Sequence, residues 1–327
     1  MIRFVTLLMI ILLSLANTAN ASVVDTQLPY SYKELENDLS SIKARYKPVV
    51  KIYKIGETEF GRNIWAAKLG RGKENIVIVG THHGREWLTS MLVMKMLETY
   101  ADAYQNKKTV GRYQTDILNE VSIWFIPMLN PDGVTIQQNN LHQFPLSYQP
   151  HLIEMNKGER NFKRWKANAL GVDLNRQYPA GWEKLNREPN RPYYQFYRGQ
   201  RPFEAREVKV LTKFIRKIKP AIAVAYHTAG REIYWNYKNG ANLKRDQSIA
   251  DKVSKLTGYP LAKPAKNAVG GGFTDWFITT YRRPGLTIEV SYLVGETSPP
   301  LEVFETEWKR NQYVGLQLLI EAKKIVD

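Results

Sequence analysis

Four apolar runs constrain the fold before any other feature does: ENIVIVG (74–80), VSIWFIP (121–127), AIAVAY (221–226) and LTIEVS (286–291). They are rich in β-branched and aromatic residues with little polar alternation, the pattern of strands buried on both faces. Helical patterns separate them at 86–104, 204–217 and 243–257; the first carries apolar Leu88, Met91, Leu92, Met94, Met96 and Leu97. Strands alternating with helices make an α/β sheet with helices on both faces. Two more strands read at 49–56 and 63–70, joined by a turn containing Gly61, and two more helices at 32–46 and about 301–325. Residues 131–202 read as irregular, rich in Pro, Asn, Gln and Arg. A connection that long inside a compact domain is usually functional.

The first 21 residues stand apart. Arg3 precedes the apolar run Val5 to Leu15, and Ala19-Asn20-Ala21 follows. That layout predicts a signal peptide over 1–21, cleaved before Ser22, and a single catalytic domain over 22–327. The run of 11 residues is short against the roughly 20 that cross a bilayer. No later stretch is long and apolar enough, so no membrane span is expected in the mature chain. The chain has no cysteine, which excludes disulfides, thiolate metal ligands, a lipidated cysteine and a cysteine nucleophile. The formal charge of +16 favours polyanions. For an exported, monomeric protein, secreted or wall-associated, an anionic cell envelope suits that charge better than nucleic acid. The stretch RNFKRWK (160–166) is the one local hint of a nucleic-acid surface, and a solvated loop explains it as well.

Only five histidines are present: His82, His83, His142, His151 and His227. His82 and His83 follow the strand 74–80, and His227 follows 221–226. In open α/β sheets, ligands bind beyond the carboxyl ends of strands. Glu86, in a first helical turn, can turn to the same side as a histidine three residues before it. A His-Glu-His set of this kind suits catalytic zinc, which takes three nitrogen or oxygen ligands. The pattern leaves His82 and His83 as alternatives. In GVDLNRQYPAGW (171–182), adjacent Asn175 and Arg176 suit recognition of a carboxylate; an ion pair of Arg176 with Asp173 is the structural alternative. Glu289 is a carboxylate in an apolar strand, where burial raises its pKa toward the range of a general base.

Taken together, HGRE (83–86), GVDLNR (171–176), His227 in AYHTAG, GGGFTDW (270–276) and Glu289 in TIEV resemble the zinc carboxypeptidase family over residues 50 to 320. Locally, WKANALGVDLNRQYPAGW (165–182) and RRPGLTIEVS (282–291) are most similar to the bacterial γ-D-glutamyl-L-diamino acid endopeptidases, which cut peptidoglycan stem peptides. The resemblance implies a single α/β domain with a central mixed, twisted sheet and helices on both faces. It implies a zinc ion held by His83, Glu86 and His227, with His82 pointing elsewhere. It implies Glu289 as general base, Lys166 or Arg164 facing the oxyanion, and Asn175, Arg176, Arg85 and Thr274 contacting substrate. Two departures accompany it. Lys166 stands where the digestive enzymes have an arginine, and Asn267 falls near their mobile tyrosine. The expected activity is hydrolysis of the γ-D-glutamyl–diamino acid bond of peptidoglycan peptides. The alternative is a general secreted carboxypeptidase acting on L-peptides.

Overall fold

A computed structural model describes residues 22–263 and 269–326. The expected leader (1–21) and Asn267 lie outside the described residues.

Strands β1 (Val50–Glu57), β2 (Asn63–Leu69), β3 (Glu74–Val79), β4 (Val121–Ile126), β5 (Ile222–Thr228), β6 (Glu232–Tyr234) and β7 (Gly285–Val290) form one sheet in the order β1-β2-β4-β3-β5-β7-β6. The inner neighbours β4, β3, β5 and β7 run parallel, and the pairings at both edges are antiparallel. The sheet is mixed, as expected. Helices are α1 (Tyr32–Arg45), α2 (Leu88–Gln105), α3 (Pro131–Gln137), α4 (Gln149–Met155), α5 (Arg206–Ile218), α6 (Leu243–Thr257), α7 (Phe273–Tyr281), α8 (Phe304–Asn311) and α9 (Val314–Val326).

The period of two along each strand divides the core. Ile76 and Ile78 of β3, Ile222 and Val224 of β5, and Leu286 and Ile288 of β7 pack with α1, α2, α6, α8 and α9. Val77 and Val79, with Ala223 and Ala225, pack against α5 and α7. His227 and Glu289 continue this second set, and they are partners in the β5–β7 register. Their side chains therefore leave the sheet on the same face.

Several elements differ from the sequence expectation. The helix expected from Glu86 begins at Leu88, and Gly84–Glu86 forms a separate 3-10 turn. Helices α3 and α4 occupy part of the stretch read as irregular. Every residue of α3 is buried, so no amphipathic stripe marks it, although Pro131 and the cap from Asn130 start it. Strand β6 has three residues, too few for a periodic signal, and α7 follows a glycine run. The expected C-terminal helix is two helices, α8 and α9. A satellite core of Ile136, Phe144, Leu152, Phe162, Trp165 and Tyr194 holds the long connection against the domain.

Candidate active site

The chain runs from β3 to its neighbour β4, then crosses over to β5 on the other side of β3. The crevice between β3 and β5 is thus the point where the winding reverses, the place such sheets use for ligands. His83 precedes the 3-10 turn with extended backbone, and its carbonyl accepts from Glu86 N at 3.0 Å. The turn brings both side chains to one side. His83 Nδ1 lies 2.8 Å from Glu86 Oε1, and His227 Nδ1 lies 2.9 Å from Glu86 Oε2. The two Nδ1 atoms are 3.2 Å apart. All three residues are buried.

His82 turns the other way. Its Nε2 meets the Tyr178 hydroxyl at 3.2 Å, and its ring stacks behind His227 at 5.2 Å between centroids. Burial holds the His82 imidazole well below its ordinary pKa. Behind His83, Nε2 meets Asp173 Oδ1 at 3.0 Å. Asp173 was considered from sequence only as a partner for Arg176; the structure gives it a second contact that fixes the His83 ring. Burial pushes the Asp173 carboxyl up, but Lys166, His83 and Arg176 outweigh it and hold it well below the usual range. Glu86 follows the same logic: burial raises it, and the two histidines hold it well below the usual range. Glu289 has no such partners. Burial, then the charge of Glu86, hold its carboxyl well above the usual range, against the pull of Lys166.

The cleft over this group is lined by Lys166, Asn175 and Arg176 from the long connection. Thr274, Asp275 and Ile278 come from α7, and Tyr234, Trp235, Asn236, Thr287 and Glu289 from the β6–β7 side. Lys166 Nζ and Arg176 Nε approach Asp173 Oδ2 at 3.8 and 3.6 Å. Asn175 Oδ1 accepts from Phe273 N at 3.0 Å, which fixes the orientation of the amide. The hydroxyls of Thr274 and Thr287 share a hydrogen bond of 2.7 Å. Asp275 Oδ2 accepts from Gly270 N at 2.9 Å, and burial raises this carboxyl to about 7.

A model of the zinc carboxypeptidase family matches residues 35–313. The chain belongs to that family. Gamma-D-glutamyl-L-diamino acid endopeptidase 1 of Lysinibacillus sphaericus is 32% identical over 298 residues, 90% of this chain and 73% of that protein. Among solved structures, thrombin activatable fibrinolysis inhibitor aligns with a TM-score of 0.72 at 16% identity, covering 95% of this chain and 78% of its own. Carboxypeptidase A from Helicoverpa armigera aligns at 0.70 and 17%, with the same coverages. At these identities the structures speak for the fold. The protein is a zinc metallopeptidase.

The donor set fits zinc. Among the described residues, His83, Glu86 and His227 form the one group of three or more such side chains able to hold an ion. The two imidazole Nδ1 atoms, 3.2 Å apart, converge with both Glu86 oxygens on one buried point, the arrangement of a ligand set. That spacing is close to the roughly 3.4 Å edge of a tetrahedron with metal–nitrogen bonds of about 2.0–2.1 Å. Of the remaining sequence candidates, Lys166, Asn175, Arg176, Thr274 and Glu289 line the cleft. Arg164 and Arg85 do not. The Arg164 guanidinium donates to Asn156 Oδ1 and O at 3.0 and 2.7 Å and lies over the Tyr194 ring. Arg85 donates to Arg164 O and Gln195 Oε1 at 3.1 and 3.0 Å. Both serve the loop that carries Lys166. Asp275 and Tyr234 were not anticipated; the first lies inside the quoted GGGFTDW motif, and the second sits on a strand too short to read.

Proposed function

We propose that this zinc peptidase hydrolyses the amide between γ-D-glutamate and the diamino acid of peptidoglycan stem peptides, and that it does so after export, with residues 1–21 as the leader. The observation that carries the substrate reading is the division of charge in the cleft. The long connection contributes two cations and an amide, Lys166, Arg176 and Asn175. The lining from α7 and the β6–β7 side contributes hydroxyls, an amide and a carboxyl, Thr274, Thr287, Asn236 and Asp275, with no lysine or arginine among its described residues. A residue with a carboxylate at one end and an amine at the other matches both linings. The name of the Lysinibacillus relative and the charge of +16, suited to an anionic envelope, agree with this reading.

His83, Glu86 and His227 are the residues that would hold the zinc, and Asp173 orients His83 from behind. When bound, the metal supplies Lewis acidity at the reacting centre. Glu289 takes a proton from the attacking water and delivers it to the departing amine nitrogen. Register places it beside His227, and its carboxyl lines the cleft with no hydrogen-bond partner among the described residues. Lys166 presents its ammonium to the carbonyl oxygen as that oxygen gains charge. Asn175 and Arg176 hold the α-carboxylate of the diamino acid.

The test is a competition between a γ-D-Glu–diaminopimelate peptide and L-peptides ending in Phe, Leu, Lys or Glu. Faster cleavage of the γ-D-glutamyl bond is expected. Preference for any of the L-peptides would replace this reading with a general carboxypeptidase. Mass analysis of the recovered protein tests the leader: a chain beginning at Ser22 is expected.

A further inference from the structure

Phe196 sits where the two cations of the cleft meet, and its backbone is unusual. Its φ is +66°, in the left-handed region that crowds a bulky side chain and that glycine enters freely. The segment around it is tied on both flanks. Tyr194 O accepts from Lys166 N and Ala167 N at 2.9 Å each, and Tyr197 O accepts from Asp173 N at 2.8 Å. Those flanking segments are the ones that carry Lys166 and Arg176. The Lys166 ammonium lies 4.8 Å from the Phe196 ring centroid, and the Arg176 guanidinium carbon 5.2 Å. The residue is 37% exposed, so core packing does not account for it. Backbone strain, given-up burial and two functional cations on one ring converge on a role in the site.

The cations need such a holder. Their shared carboxylate oxygen, Asp173 Oδ2, lies 3.8 and 3.6 Å away, beyond hydrogen-bond distance for both. Two like charges drawn to one oxygen also repel each other. The face of an aromatic ring attracts a cation without demanding a particular donor direction.

We propose that Phe196 is a positioning residue for the hydrolytic reaction: its ring holds the Lys166 ammonium and the Arg176 guanidinium where the first meets the developing oxyanion and the second the substrate carboxylate. This rests on the roles proposed above for the two cations, and not on which peptide is cleaved. The test replaces Phe196 by phenylalanines carrying one, two and three ring fluorines, which drain the π face at nearly constant shape. Kinetics are measured on whichever peptide of the competition panel is cleaved fastest. Expected is a stepwise fall in kcat/KM, reaching roughly 3- to 30-fold for the trifluoro ring, at unchanged Tm. The fall divides between lower kcat, through Lys166, and higher KM, through Arg176. Phe196→Gly suits a φ of +66°, so its Tm is expected at or above the parent's while its kcat/KM falls at least as far; Phe196→Tyr keeps the π face and is expected near the parent. A flat fluorine series beside an impaired Lys166→Ala overturns the proposal. A Lys166→Ala variant at the parent rate overturns the premise, and the proposal with it.

Discussion

Two carboxylates of this cleft titrate in opposite directions for reasons visible atom by atom. Glu86 spends both oxygens on histidine Nδ1 atoms and stays charged. Glu289 spends neither among the described residues, sits within reach of the Glu86 charge, and holds its proton more tightly. One carboxylate is thereby prepared to hold a cation and the other to carry a proton. Glu289→Gln is expected to retain about one zinc and the parent Tm while slowing turnover by roughly 10²–10⁴. Ala at His83, Glu86 or His227 is expected to lose the metal by elemental analysis, and His82→Phe to keep it. Zinc lost from the His82 variant and kept by His83→Ala would reverse the ligand assignment. Lys166→Ala is expected to cost on the order of 10²–10³ in kcat, and Arg164→Ala far less, since that guanidinium is occupied at Asn156.

The 3-10 turn that carries His83 and Glu86 is held by side-chain donors and by close backbone packing: Thr89 Oγ1 donates to Glu86 O at 2.8 Å. Gly84 N donates to Lys166 O at 2.9 Å. A Cβ at Gly84 would meet Gly133 O at 2.4 Å, in the first turn of α3, and a Cβ at Gly133 would meet Asn130 Nδ2 at 2.5 Å and Ala167 O at 2.6 Å. Asn130 caps α3 by accepting from Gly133 N, and it donates to His82 O and Ala167 O. Turn, helix and loop thus interlock around the Asn130 amide, with glycine at the two closest backbone approaches. Gly84→Ala is expected to destabilise the fold by about 1–3 kcal/mol, as overpacking does, and to lower zinc content along with Tm. An unchanged metal content and Tm would show that the turn has room to move.

The whole molecule carries a pH dependence that its burial imposes. Glu207, at the start of α5, is 1% exposed. Its Oε2 accepts from Asn168 Nδ2 at 3.1 Å, and its Oε1 has no hydrogen-bond partner among the described residues. Burial, helped by Asp132, raises this carboxyl from 4.5 to about 7. Between those values the folded chain keeps a proton that the unfolded chain has released. The contribution of this group is therefore fullest below about 4.5 and falls as pH rises toward 7, by on the order of 3 kcal/mol. Asp275, raised to about 7, and Asp38, raised to about 6, act in the same direction. Glu207→Gln carries no titrating proton, so its Tm advantage over the parent is expected to be small at pH 5 and to widen toward pH 8. A constant offset across that range would mean that Glu207 is ionised in the folded state.

What the sequence determined by itself was local chemistry and the positions of the buried strands: the apolar runs that became β3, β4, β5 and β7, a histidine and a glutamate three residues apart, and the adjacent Asn175 and Arg176. Those signals survive because they depend on residues close in the chain. Pattern left His82 and His83 open, and resemblance chose His83. The direction of each ring was decided by the turn 84–86, by Asp173 from 90 residues away, and by Tyr178 on the far side of His82. Resemblance likewise left Lys166 and Arg164 open; in the fold Lys166 lines the cleft, while Arg164 packs on Asn156 and Tyr194. Helices α3 and α7 were illegible because they are buried on most of their surface and carry no single apolar stripe. The placement of His227 beside Glu289 was decided by the register of two strands 62 residues apart in sequence, one at 227 and the other at 289. Such pairings are set by which faces the helices cover, and that is known only once the chain has closed on itself.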